Sequence, residues 1–207
     1  MNFTLAIQTL QALMIAASDE AKKSFQNAIE FLQSNGKKVI FRALNKLKLI
    51  GTHKLTTVEE FTVTDFFKEG KNGTTKVWLS DNFKSIILGA APKKVSAAAE
   101  TLDALQLTES MWDSQIVNEL GNPTSYDIPT LLARLKQLVS AQSNGEAGTL
   151  LTNGYANIFY AKAADGRAVV VGALWDVGQW EFYCYEFDED SEWLDGRLVF
   201  SPAIVEA

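Results

Sequence analysis

The chain holds one histidine, His53, and one cysteine, Cys184. Any thiol or hydroxyl nucleophile activated by an imidazole would have to use His53. Cys184 lies among Trp180, Phe182, Tyr183 and Tyr185 in a strand-like alternation, so a buried, inert thiol is expected. Zinc centres draw on clusters of Cys and His, and these two residues make no cluster. Gly70-Lys71-Asn72-Gly73-Thr74-Thr75-Lys76 has glycines and lysines in a short loop. It lacks the glycine-lysine-hydroxyl order of a phosphate loop, and no helix clearly follows, so a hairpin turn accounts for it. No cofactor or metal is expected.

Carboxylates are the remaining chemical resource. In Asp188-Glu189-Asp190-Ser191-Glu192, acids at alternate positions suit a hard cation. A calcium loop of the EF-hand type would need Gly where Trp193 stands and an acid where Val199 stands. A solvated acidic loop is the plainer account. Two distant acids can also meet in space as a hydrolytic pair, but nothing in the sequence selects a pair.

The basic residues gather elsewhere. Lys37, Lys38, Arg42, Lys46, Lys48 and Lys54 fall in a stretch without any acid between Glu30 and Glu59. Such a stretch can neutralise phosphates without reading sequence. A helix-turn-helix would place Gly51 between two helices, yet the second would open with Glu59 and Glu60, which do not suit base reading. A solvated helix face is the alternative.

This segregation runs through the whole chain. Residues 1–98 hold 14 Lys/Arg and 8 Asp/Glu, whereas residues 99–207 hold 5 and 17. The net charge of −6 thus combines a front of +6 with a back of −12. Charge asymmetry of this kind speaks about partners rather than fold. The chain of 207 residues is 47% hydrophobic, enough for a substantial core without disulfides. No apolar run approaches the roughly 20 residues that span a bilayer. Residues 3–17 are apolar-rich, but they lack a basic start and are interrupted by Gln8, Thr9 and Gln11, so they do not read as a secretory signal. No membrane association and a cytoplasmic location are expected.

The elements that must position these groups follow from periodicity. Phe3, Ile7, Leu10, Met14, Ala17, Ala21, Ala28 and Phe31 recur at helical spacing, and Asn35-Gly36 can end that segment. Residues 37–50 predict a second amphipathic helix, with Val39, Ile40, Ala43, Leu44 and Leu47 on one face. Thr57-Val58-Glu59-Glu60 fits a capping box, although residues 61–67 also suit a strand. Asn72-Gly73 predicts a turn into a strand over Lys76–Leu79. Residues 90–99 read as a connector, and a boundary is placed near residue 95. Thr108 can cap a helix over 109–120, and Asp127 one over 128–142 with Pro129 in its first turn. Four strands follow: Asn157–Ala163, Arg167–Trp175, Gln179–Phe187 and Arg197–Ser201. Asp165-Gly166 is expected to form a type I′ turn, and short links favour a meander.

The fold expected is therefore α+β, with a helical N-terminal half and a C-terminal four-stranded antiparallel β-meander packed with helices. Residues 1–95 would form a basic, mainly helical region and 96–207 an acidic one, in one domain or two. The function expected is non-catalytic recognition of another protein, one with a basic surface. Tyr183, Tyr185 and Trp193 would supply contact area, and Asp188, Glu189, Asp190, Glu192 and Asp195 would steer the partner. Packing as a second core face is the other account of those tyrosines. Two further functions stay open: nucleic-acid contact through Lys37, Lys38, Arg42, Lys46, Lys48 and Lys54, and a carboxylate-dependent, metal-assisted enzyme. The isolated chain is expected to be a monomer or small oligomer.

Overall fold

Runs such as Asn157–Lys162 and Ala168–Asp176 carry β-branched and aromatic side chains on both sides of the strand. Strands apolar on both faces belong in the middle of a sheet with both faces covered. A computed structural model describes residues 46–120, 126–187 and 192–203, all within the compact unit formed by residues 43–207. The described part is mostly β. Its strands are β1 (Leu47–Leu55), β2 (Val58–Thr62), β3 (Gly70–Asn72), β4 (Thr75–Leu79), β5 (Lys94–Ala97), β6 (Glu100–Leu107), β7 (Tyr126–Asp127), β8 (Asn157–Lys162), β9 (Ala168–Asp176), β10 (Gln179–Glu186) and β11 (Leu198–Pro202). The helical segments are short: α1 (Val63–Phe66), a π-helical stretch (Phe83–Leu88), α2 (Asp113–Leu120) and α3 (Ile128–Ser140). Among them, no helix is long and apolar enough to cross a membrane.

A nine-stranded mixed sheet runs in the order β1-β6-β11-β8-β9-β10-β4-β3, with β7 pairing to β8. β2 and β5 form a separate two-stranded ribbon. One face of the sheet packs under α3, the ribbon and the π-helical stretch. Its core includes Phe83, Leu102, Leu131, Leu135, Phe159, Trp180, Phe182 and Phe200. The opposite face packs under α2 along β6, β11 and β8, with Leu105, Ile116, Leu120, Ile158, Tyr160 and Val199 in its core. Arg134, only 1% exposed, ties α3 to the ribbon connections. Its Nη1 donates to the Thr56 carbonyl at 2.9 Å, and its Nε pairs with Glu100 at 2.5 Å.

Several expectations need correction. The helical N-terminal half does not describe residues 46–107, which are dominated by strands. Residues 47–50, expected at the end of a basic helix, open β1 instead. Pairing with β6 decides this: Leu47 lies opposite Leu107 and is buried, and Ile50 is the extra residue of a bulge between Leu49 and Gly51. The expected helices over 1–45 lie outside the described residues. The capping box at Thr57 is not used; Val58–Thr62 pair with β5, which itself arises inside the expected connector. Thr108 does not cap a helix. Its hydroxyl donates to the Lys46 carbonyl at 2.9 Å, and α2 starts only at Asp113.

The antiparallel meander is also overturned. β8, β9 and β10 are consecutive antiparallel neighbours, but β11 pairs parallel to β8 and antiparallel to β6. Leu198, Val199 and Phe200 are all buried, and only an interior position covers both faces of such a run. The type I′ turn sits in the other hairpin. Val177 and Gly178 have φ of 45° and 75°. Between β8 and β9 only Gly166 has positive φ, and its N–H donates to the Ala163 carbonyl, giving a type I turn closed by a glycine bulge.

Candidate functional site

Alternation along β10 sends Trp180, Phe182 and Cys184 into the core and Glu181, Tyr183 and Tyr185 to the opposite face. That face is only half-buried here, because α2 covers the β6–β11–β8 side of the sheet and no described element crosses β10 and β4. Parallel pairing sets Trp78 of β4 directly beside Glu181. On the other side, β9 places Leu174 opposite Glu181 and Gly172 opposite Tyr183. Gly172 lies under this surface: a Cβ there would reach the Tyr185 ring at 3.4 Å, Leu174 at 3.6 Å and Trp193 at 3.9 Å, ordinary contact distances.

Four rings form a continuous row on this surface. Trp78 and Tyr183 have centroids 5.2 Å apart, Tyr183 and Tyr185 stack at 5.9 Å with planes 11° apart, and Trp193 meets Tyr185 edge-on at 5.4 Å. Such spacings are those of attractive aromatic pairs. Trp193 arrives from the connection before β11. Reciprocal backbone bonds of 2.9 Å with Met111 fix its main chain. Its indole Nε1 donates to Asp113 Oδ1 at 2.7 Å, and the Tyr160 hydroxyl donates to the same oxygen at 2.9 Å. Asp113 is a buried carboxylate whose partners orient the last ring of the row.

Glu181 supplies the charge at the Trp78–Tyr183 end of the row. The Tyr183 hydroxyl donates to its Oε2 at 2.7 Å, and Gln179 Nε2 donates to its Oε1 at 2.9 Å. Among the described residues no Lys or Arg forms an ion pair with it. Desolvation, followed by the hydrogen bond to Glu181, pushes the Tyr183 phenol up to about 12. Burial also raises the Tyr185 phenol, partly offset by Arg197. Asp176 adds negative charge at the hairpin end, and Lys76 stands two residues before Trp78 on the same side of β4.

Of the residues expected to bind a partner, Tyr183, Tyr185 and Trp193 are therefore brought into one row. Glu192 and Asp195 are exposed on either side of Trp193, and Asp188, Glu189 and Asp190 lie outside the described residues. Trp78 and Glu181 were not among the expected site residues. Alternation of Lys76 and Trp78 with buried Val77 and Leu79 signals an outward Trp, but its neighbour on β10 comes from a parallel pairing about a hundred residues away in sequence.

The basic segment is dispersed where it is described. Lys46 pairs with Glu109. Lys48 lies opposite Gln106 and Lys54 opposite Thr101, five positions apart on β6 and so on opposite faces of the sheet. Lys37, Lys38 and Arg42 lie outside the described residues. His53 contacts Thr149 across 3.4 Å on β1, whereas buried Cys184 is on β10. With β6, β11, β8 and β9 between them, the two strands stand roughly 24 Å apart at about 4.8 Å per spacing. A shallow groove between Lys54, Thr56, Gln137, Gln142 and Thr149 is lined by no carboxylate. Comparisons with models of known protein families, with curated proteins and with solved structures gave no match.

Proposed function

We propose that this chain is a non-catalytic, cytoplasmic recognition protein that binds a protein partner through the row Trp78–Tyr183–Tyr185–Trp193. The observation that carries the reading is the row itself: four touching rings, only partly covered, with a carboxylate at the Trp78–Tyr183 end that no Lys or Arg pairs with among the described residues. Large amphipathic rings of this kind provide contact area at low entropic cost and recur at the centres of interfaces. Glu181, Asp176, Glu192 and Asp195 favour a partner of positive charge and make association weaken with salt. A reducing compartment fits a chain whose one thiol is buried in the core.

The test is site-specific cross-linking in the cells that make the protein. A photoreactive residue replacing Trp78 or Tyr183 is expected to capture the same discrete protein from both positions. The same residue at Lys162, an exposed site on β8, is expected not to capture it, and Glu181→Lys should abolish capture at Trp78. Equal capture from Lys162, or none from the row, would overturn the reading.

A further inference from the structure

We infer that the occupant of this row is an extended peptide segment whose arginine side chain lies over the outer faces of the Trp78 and Tyr183 rings and pairs with Glu181. The inference rests on the proposed recognition role and names the chemistry of its partner. Glu181 decides between occupants. A wholly apolar segment laid over the row would bury this carboxylate with no cation in contact with it among the described residues, at a cost that apolar contact does not recover. A phosphate-bearing ligand would meet Glu181 and Asp176 as like charges. A cation removes both objections.

Geometry then selects among cations. Each Glu181 oxygen accepts one internal bond, from Gln179 or from Tyr183, and keeps a further acceptor position. The two oxygens together can receive the paired N–H groups of a guanidinium. The flanking rings of Trp78 and Tyr183, with planes inclined by 48°, offer π-faces to a flat cation. An ammonium group satisfies the charge but neither forks onto both oxygens nor stacks. Beyond Tyr183 the rings follow one another at 5.9 Å and 5.4 Å. Alternate side chains of an extended peptide lie about 6.7 Å apart, close enough for successive outward groups to meet Tyr183 and Tyr185 along β10, with Trp193 beside them over Gly172 of β9. Lys76 stands on this side of β4 level with Gln179, and its charge disfavours a second cation at that end, so the arginine belongs at the Glu181 position and the rest of the segment runs toward Tyr185 and Trp193.

The experiment titrates the full chain with three synthetic peptides that alternate Ala with Arg, with Lys or with Glu. Binding is read by calorimetry and by tryptophan fluorescence. The arginine peptide is expected to bind saturably and about fivefold more tightly than the lysine peptide, with no binding of the glutamate peptide. Glu181→Gln should weaken the arginine peptide about tenfold and remove most of its advantage over lysine. Tyr183→Ala should also weaken it, while Tyr183→Phe, which keeps the ring, should retain most of the affinity. Thermal melts of each variant show whether the sheet is intact; Glu181→Gln preserves shape and decides the matter if Tyr183→Ala unfolds. No saturable binding of the arginine peptide up to roughly 1 mM, equal affinity for arginine and lysine peptides, or an unchanged Glu181→Gln would overturn the inference. Cross-linking to a partner at Trp78 without any arginine preference would refute this inference alone; loss of both results would refute the recognition role with it.

Discussion

At the scale of single residues, the site is a matter of which groups carry charge and which are held still. Tyr183 illustrates both. Its phenol donates to Glu181, and desolvation with that neighbour raises it to about 12, above the ordinary value near 10. The unfolded chain therefore loses this proton first as pH rises. The stabilising contribution is complete below about pH 10 and is lost between pH 10 and 12. Tyr183→Phe is accordingly expected to lose less stability than the natural chain over that window. Urea midpoints measured at pH 9, 10, 11 and 12 check this, and parallel pH slopes for the two proteins would contradict it. Tyr126 and Tyr185 shift in the same direction, so wild-type stability should still fall in alkali after the substitution. The pairing of Tyr183 with Glu181, two positions away on one strand face, is compatible with alternation in the sequence. The approach of Trp78 to both is not a local matter.

At the scale of elements, local chemistry and local geometry agree in some places and conflict in others. Asp127 caps α3 as its position before Ile128-Pro129 suggests: its Oδ1 accepts from the Thr130 N–H at 2.7 Å. The β9–β10 hairpin is a case of conflict. Its two-residue turn needs positive φ at both positions, yet Val177 stands at the first with φ 45° and is 84% exposed. A β-branched side chain in this region is strained, and Asn tolerates it. Val177→Asn is expected to raise stability by about 1 kcal/mol, measured by chemical denaturation, without altering the fold. An unchanged or lowered midpoint would mean that the turn relaxes around valine. β1 shows how an element can be misread: its residues mix helical and alternating periods, and burial of Leu47 against Leu107 on β6 settles the choice.

At the scale of the whole molecule, β11 joins the sheet together. It lies between β6 and β8, antiparallel to one and parallel to the other, and fills both faces with Val199 and Phe200. β1 and β6 on one side would otherwise have no ladder to β8, β9 and β10 on the other. Deletion of residues 197–207 is expected to abolish cooperative unfolding and expose the apolar rows of both neighbours. Circular dichroism melts and a hydrophobic dye check this; a truncated chain melting near the natural temperature would show that the two parts of the sheet stand alone. The same topology brings β4, from before residue 95, beside β10, from after it. The row of rings thus draws on both sides of the charge reversal in the sequence.

The amino-acid sequence by itself determined what depends on neighbours a few positions apart. Alternation along Gln179–Glu186 assigned Cys184 and Phe182 to one face and Tyr183 and Tyr185 to the other. Turn and capping residues marked the hairpins and the start of α3, whereas sequence spacing placed the strand over Arg197–Ser201 at the end of a meander and not in the interior of the sheet. Only the tertiary structure decided which strands lie side by side. It made β1 a strand, set β11 next to β8 rather than β10, and placed Trp78 against Glu181. The physical reason is that backbone alternation is a local constraint, whereas ladder partners are chosen by burial of both faces across long loops, whose closure cost changes only slowly with length. Sequence spacing carries little of that choice, and the candidate site lies where it was made.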